Sequence, residues 1–269
     1  MKVLPSYPAL RGALLLGIIG AASLGTRLAA QVPDSILNED PETVSAPLIP
    51  DRIEKINRAV FKFNDGLYRV AVKPIARGYT KVVPAPVRRG IGNFFHNLGY
   101  PTRLVSNILE GHPRGAWIET HRFLVNTVGG FGGFGAPADQ DPKLRVPEND
   151  LGQAFATWGI GHGTYLVLPL LGPTSLRDGI GQGLSGIYLS PTQYLPEWEE
   201  RTGATVVDGT NKLPEAMDAY DNLKGASIDP YSALRNAFAA RRAQQVREQK
   251  AAARIEEKVT ARPIRQAKR

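Results

Sequence analysis

The chain has 269 residues, a formal net charge of +8, an apolar fraction of 42% and no cysteine. Without a thiol these residues offer no disulfide, no cysteine-ligated zinc, no thiol nucleophile and no site for a thioether-linked lipid. Gly (28) and Pro (21) are enriched but stay below the roughly 25–30% of low-complexity sequence, so a packed core in one domain or two small ones is expected.

Residues 239–269 hold ten of the 33 Lys and Arg and three of the 25 Asp and Glu, leaving 23 bases against 22 acids in the first 238. The basic character therefore belongs to the C-terminal tail, here 241–269. Such a tail is a solvated extension or binds a polyanion, either nucleic acid or anionic lipid.

At the other end, Lys2 and Arg11 precede an uncharged run from Gly12 to Thr26 that Arg27 closes. As a helix the run reaches ~22 Å, short of the ~30 Å hydrocarbon core. Residues 1–30 read as a secretory signal or a retained N-terminal anchor, and either one exports the body. Residues 31–50, with four prolines and no periodicity, read as a linker.

A helical domain is expected over 51–240. Asp51 with Glu54 three residues on suggests a capping box. Ile53, Ile56, Val60, Phe63, Leu67 and Val70 then recur at spacings of three and four, one stripe of an amphipathic helix that packs inside the molecule or touches lipid. Lys73-Pro74 ends or kinks it. Pro84-Ala85-Pro86 opens a second helix with Val87, Ile91, Phe94 and Leu98 on one side, and Gly99-Tyr100-Pro101 breaks it. A third helix is expected over Thr102–Glu110 and a fourth over Arg114–Thr127. Only Thr164–Leu171 has strand character, and Pro169 confines it to an edge or hairpin. The fold class is all-α with at most one small β-hairpin.

Residues 123–196 contain half of the glycine, 14 of 28, and three long stretches without a formal charge. Glycine and proline interrupt each stretch, so none is a spanning helix. Two readings remain: segments buried in a soluble protein, or short helices seated in one leaflet, with any irregular backbone enclosed by protein or lining a wet cavity.

Several patterns look like reaction chemistry without supporting it. Gly130–Gly135 and Gly181–Gly186 both fit G-x-G-x-x-G, but neither sits between a strand and a helix as a dinucleotide site requires. His96, His112, His121 and His162 lack metal-ligand spacing. Ser185 misses the last glycine of a nucleophile elbow, and no carboxylate pair stands out for acid–base work. Binding or conduction is expected, with no enzymatic activity and no cofactor.

A specific series runs through the body: Asn57-Arg58 with Phe61, Phe63, Asn64 and Asp65, then Lys73-Pro74, Val83-Pro84-Ala85-Pro86 and Asn93-Phe94-Phe95. Arg122-Phe123 with Asn126-Thr127 and Trp158-Gly159 follow, then the long string Leu166 to Asp178 and finally Asp229-Pro230-Tyr231. In this order and spacing the series resembles the VacJ/MlaA family over about residues 51–240. The resemblance implies a ring-like helical body in the inner leaflet of a Gram-negative outer membrane, on its periplasmic side, with an amphipathic channel. It also implies removal of mislocalised phospholipid from the outer leaflet, delivery to a soluble periplasmic lipid-binding protein, and association with a trimeric outer-membrane porin. Asn57, Phe61, Phe63, Asn64 and Asp65 are then candidates for the channel wall or its support. Arg177 and Asp178 either line the channel or pair as a structural clamp. One departure stands out: members of the family typically carry a lipidated cysteine, and Ser23-Leu24-Gly25-Thr26 has threonine where one would stand. The alternative is a periplasmic scaffold that binds partners without conducting lipid. Nucleic-acid binding through the tail is set aside by the export signal.

Overall fold

The computed structural model describes residues 49–261, so the expected signal or anchor and nearly all of the linker lie outside the described residues. Helix α1 (Glu54–Leu67) passes through a π turn (Tyr68–Val72) into α2 (Lys73–Val82). The break expected at Pro74 is thus a wide turn placed one residue upstream of Lys73, which absorbs the hydrogen bond that a proline nitrogen cannot donate. The expected capping box is absent. Ile53 is the N-cap without a side-chain bond. Asp51 instead accepts from Asn57 Nδ2 at 2.7 Å and from the hydroxyl of Tyr231.

Helices α3 (Ala85–Leu98), α4 (Tyr100–Leu109) and α5 (Pro113–Gly129) follow, each with proline in its first turn, where the missing N–H costs nothing. After the loop comes α6 (Leu151–Thr157), capped by Asp150 accepting from the Gln153 amide. Strands β1 (Tyr165–Leu168) and β2 (Gly172–Ser175) form one antiparallel hairpin. Helix α7 (Leu176–Leu184) starts from the Ser175 cap. Two long helices, α8 (Trp198–Gly225) and α9 (Pro230–Ala261), complete the described chain. The all-α class with one small hairpin holds.

The expected boundary at residue 240 is not a boundary in the structure. Helix α9 runs through it unbroken, and Arg242, assigned to a tail by charge alone, is buried.

Many large apolar side chains are exposed and many polar ones are buried. Ile56, Phe63 (57% exposed) and Val70 (80% exposed) of the apolar stripe face outward, as do Ile75, Val82, Leu124 and Ile180 of other helices. The inward face of α1 carries Asn57, Phe61 and Asn64. Buried residues include Asn57, Asn97, Arg103, Glu119, Asn126, Gln153, Arg177, Asp178 and Arg242. Large exposed apolar area on this scale marks contact with lipid or protein. The main apolar core is small: Ile49, Tyr165, Val167, Tyr231, Phe238 and Ala239, with Val60 and Phe61 against it. A second cluster of Val72, Ala76 and Leu213 joins α2 to α8. Among the described residues no helix is long and apolar enough to cross a membrane.

Candidate functional site

A half-open cavity of about 1000 Å³ lies between the α1–π-turn segment, the hairpin tip, α8 and α9. That is the upper end of the ~300–1,000 Å³ range of small-molecule sites. Apolar side chains dominate its walls, among them Leu67, Leu170, Leu171, Leu213, Leu223 and Leu234. The α9 wall includes Ala233, Ala237 and Ala240, small residues three and four apart that leave space open, beside Leu234, Arg241 and Gln244.

The hairpin wall is held by two amides seven residues apart on α1, hence on one helical face. Asn57 donates to the Tyr165 carbonyl at 3.0 Å and accepts from the Val167 amide at 2.9 Å. Asn64 donates to the Leu168 carbonyl at 3.0 Å and accepts from the Leu170 amide at 2.8 Å. Leu170 has φ of 67°, a left-handed backbone that leucine seldom adopts, so the Asn64 amide fixes a strained turn at the cavity wall.

Four charged residues border the cavity: Asp65 on α1, Glu215 and Asp218 on α8, and Arg241 on α9. Tyr220 donates to Asp65 Oδ1 at 2.9 Å, and Lys224 and Arg69 pair with the same carboxylate. Tyr68 donates to Asp221 Oδ1 at 2.8 Å, and Lys73 pairs with Asp221 Oδ2 at 2.6 Å. Burial alone would raise Asp65, but the bonds from Lys224 and Tyr220 outweigh it and hold its carboxyl below the usual range. Asp221 is held low in the same way, against burial, by Lys73 and Tyr68. Both tyrosine hydroxyls are pushed above their ordinary value, by burial first and then by the aspartate each one meets.

The seven residues singled out in the sequence fall into three groups. Phe61, Asn64 and Asp65 line the cavity, while Asn57 stands behind the wall. Phe63 points away from the cavity, onto the exposed outer face. Arg177 and Asp178 lie outside the cavity walls in a buried network. Arg177 Nε donates to Asp178 Oδ1 at 2.9 Å, and Arg242 reaches Asp178 at 2.7 Å and Asp150 at 2.9 Å. Burial opposes ionisation of Asp178, but His162, Arg242 and Arg177 hold it well below the usual carboxylate range. Two guanidiniums and two carboxylates close the network without net charge, as a buried cluster requires.

Gly152 and Gly181 let α6 and α7 approach beside this network. A Cβ on Gly181 would stand 2.5 Å from the Gly152 nitrogen, and a Cβ on Gly152 would stand 2.6 Å from Asp178 Oδ1 and 2.7 Å from Arg242 Nη2. The second G-x-G-x-x-G match begins at Gly181 and thus serves helix packing. The first is a turn beyond α5, tied by Gly132 N to Thr127 O at 2.8 Å and Gly135 N to Gly130 O at 2.7 Å. Among the described residues no group of three or more His, Asp or Glu is placed to hold a metal.

The cavity residues on α8 and α9 escaped the sequence reading. Helix α8 has Pro214 in its interior and two glycines before it, which hide its periodicity, and the alanine spacing on α9 reads as ordinary helix composition.

Comparison with known proteins agrees with this architecture. A family profile described as MlaA lipoprotein matches residues 49–245. The intermembrane phospholipid transport system lipoprotein MlaA of Escherichia coli K12 is 33% identical over 223 residues, covering 82% of this chain and 85% of that protein. Its counterpart in Haemophilus influenzae is 32% identical over 196 residues, covering 70% of this chain and 76% of that protein. A solved structure reported as the structural basis for maintenance of bacterial outer membrane lipid asymmetry aligns with a TM-score of 0.64 at 33% identity. It covers 73% of this chain and 98% of that one. With a family profile over residues 49–245 and relatives 32–33% identical along most of its length, the chain belongs to the MlaA family.

Proposed function

We propose that this protein moves phospholipid at the outer membrane. It takes mislocalised molecules from the outer leaflet through the α1–α8–α9 cavity and yields them to a soluble periplasmic lipid-binding protein. The reading includes an outer-membrane position on the periplasmic side, export by the N-terminal segment, and a trimeric porin as neighbour. The observation that carries it is the about 1000 Å³ cavity, lined mostly by apolar side chains and bordered by Asp65, Glu215, Asp218 and Arg241, inside a body that exposes large apolar side chains. Acyl chains keep apolar contact on the leucine and alanine walls. A headgroup, which loses hydration unless it finds polar partners, meets Asp65, Tyr220 and Arg241. In this reading Phe61, Asn64 and Asp65 form the conduit wall, Asn57 supports it, Phe63 faces lipid, and Arg177 with Asp178 clamps the scaffold. Transfer needs no covalent step.

The relatives' names, which refer to intermembrane phospholipid transport, support the same assignment. Its test is a clean deletion in the source organism, scored for phospholipid on the cell surface and for membrane fractionation of the mature protein. Surface phospholipid is expected to rise and to return to normal on complementation. Unchanged surface lipid, with the protein released into the soluble periplasm and free of copurifying lipid, would identify a scaffold instead.

A further inference from the structure

We infer that the C-terminal half of α9 is a docking surface for an anionic phospholipid headgroup layer. This is separate from the cavity and goes beyond the conduit assignment.

The inner side of α9 is fixed by Leu234, Phe238, Arg242 and Gln249, the last donating to the Glu148 carbonyl at 3.0 Å. Arg247, Lys250 and Arg254 recur at spacings of three and four on the opposite side and are exposed. Among the described residues no side-chain hydrogen bond or ion pair is made by any of the three. The helix end is not adrift: Glu256 Oε1 accepts from the Arg114 amide at 2.7 Å, so it is stitched to the first turn of α5. That junction carries exposed indoles and aliphatics. Trp117 (69% exposed) is one turn further along α5, and Ile108 and Leu109 precede the α4–α5 corner. Trp158 (53% exposed) donates from Nε1 to the Leu109 carbonyl at 2.9 Å.

Tryptophan partitions to the boundary between headgroups and hydrocarbon, and juxtaposed Lys and Arg are drawn to anionic lipid. A lipid surface uses both, since bases meet phosphate while indoles and aliphatics enter the boundary below. Charge complementarity points the same way, because the excess positive charge of the chain is concentrated in its last 31 residues while the rest is close to neutral.

The experiment is amide hydrogen exchange on the full-length protein in nanodiscs of phosphatidylcholine alone or mixed with phosphatidylglycerol. Amides over residues 247–256 are expected to exchange several-fold more slowly in the anionic discs. The difference should vanish at about 0.5 M NaCl, where the screening length is near ~4 Å. It should also vanish in the Arg247→Gln, Lys250→Gln, Arg254→Gln variant, which keeps helix-forming side chains and leaves the buried network intact. Equal exchange in both discs, or slowing that survives salt and the triple substitution, would overturn the inference. Slowing seen only when an acidic soluble protein is added would overturn it in favour of a protein partner. The readout does not involve the cavity, so its failure and a failure of the conduit reading are distinguishable.

Discussion

Tyr68 and Tyr220 meet edge to face with ring centroids 4.8 Å apart, and each donates its hydroxyl to an aspartate on the other's segment. The cavity side of α8 is therefore fastened to the α1–π-turn segment by two crossed Tyr–Asp–Lys groups. In the proposed conduit a headgroup at this wall would meet fixed donors and acceptors instead of loose side chains.

Replacing Tyr68 or Tyr220 by Phe keeps the ring and removes one hydrogen bond to a charged acceptor, at a cost of about 1.5–3 kcal/mol each. Because the rings touch, the double variant should depart from additivity by at least about 0.5 kcal/mol. Denaturant melts of the four proteins in one detergent give the cycle, and strictly additive losses would show that the two groups act separately.

Asn64→Ala removes the bonds to the Leu168 carbonyl and the Leu170 amide, whereas Asn57→Ala removes the pair two helical turns upstream. Leaving two buried backbone groups without partners costs roughly 2–6 kcal/mol. Hydrogen exchange at residues 165–171 is expected to accelerate in both. Lipid transfer should fall more in Asn64→Ala, since only Asn64 borders the cavity; equal transfer defects would argue against the wall assignment.

Ala237→Phe places a ring in the cavity from the α9 wall, where alanine leaves the space. Phospholipid transfer should be abolished while circular dichroism and expression stay near wild type. A variant that transfers lipid at the normal rate would move the conduit elsewhere in the molecule.

Arg242→Met removes the guanidinium that Asp150 and Asp178 share and, although Arg177 stays on Asp178, leaves the buried cluster with excess negative charge, a change worth about 3–5 kcal/mol. Truncation after residue 240 should be equally damaging, although charge arithmetic alone marks that segment as dispensable. Normal melting of either protein would remove the clamp from the account.

Glu110 gives a pH dependence. Burial pushes its carboxyl up to about 7; its bond from Asn149 opposes this and the Asp150 charge adds to it. Its side chain is wholly shielded from solvent, and Oε1 has no hydrogen-bond partner among the described residues. A folded-state value raised above the unfolded one means the native state holds more protons between about 4.5 and 7, so stability should fall as pH rises through that window and level off above it. Glu110→Gln should flatten the slope, as read from melts at stepped pH, and a slope unchanged by the substitution would assign it to other groups.

The helices of the first half were legible because proline and glycine punctuate them: Pro84-Ala85-Pro86 and Gly99-Tyr100-Pro101 fall at helix boundaries within a residue or two. The Asn57 and Asn64 pair was legible from a resemblance and lies on one face by its spacing. Phe63 was misplaced, and for a physical reason. An apolar stripe says which residues share a side but not whether that side meets a core or a hydrocarbon solvent. Arg242 was misplaced because a charge run reads as solvated until the carboxylates it meets, 64 and 92 residues away, are brought to it. The cavity depends on where α8 and α9 cross α1, which no local pattern encodes.

The close approach at Gly152 carries a last consequence. A single methyl group there would collide with Asp178 Oδ1 and Arg242 Nη2 before it met anything apolar. Alanine at this position would behave as a charge reversal does, prising apart an ion cluster although no ionisable residue had changed. A genetic survey that weighed only titratable positions would pass over one of the most sensitive sites in the molecule.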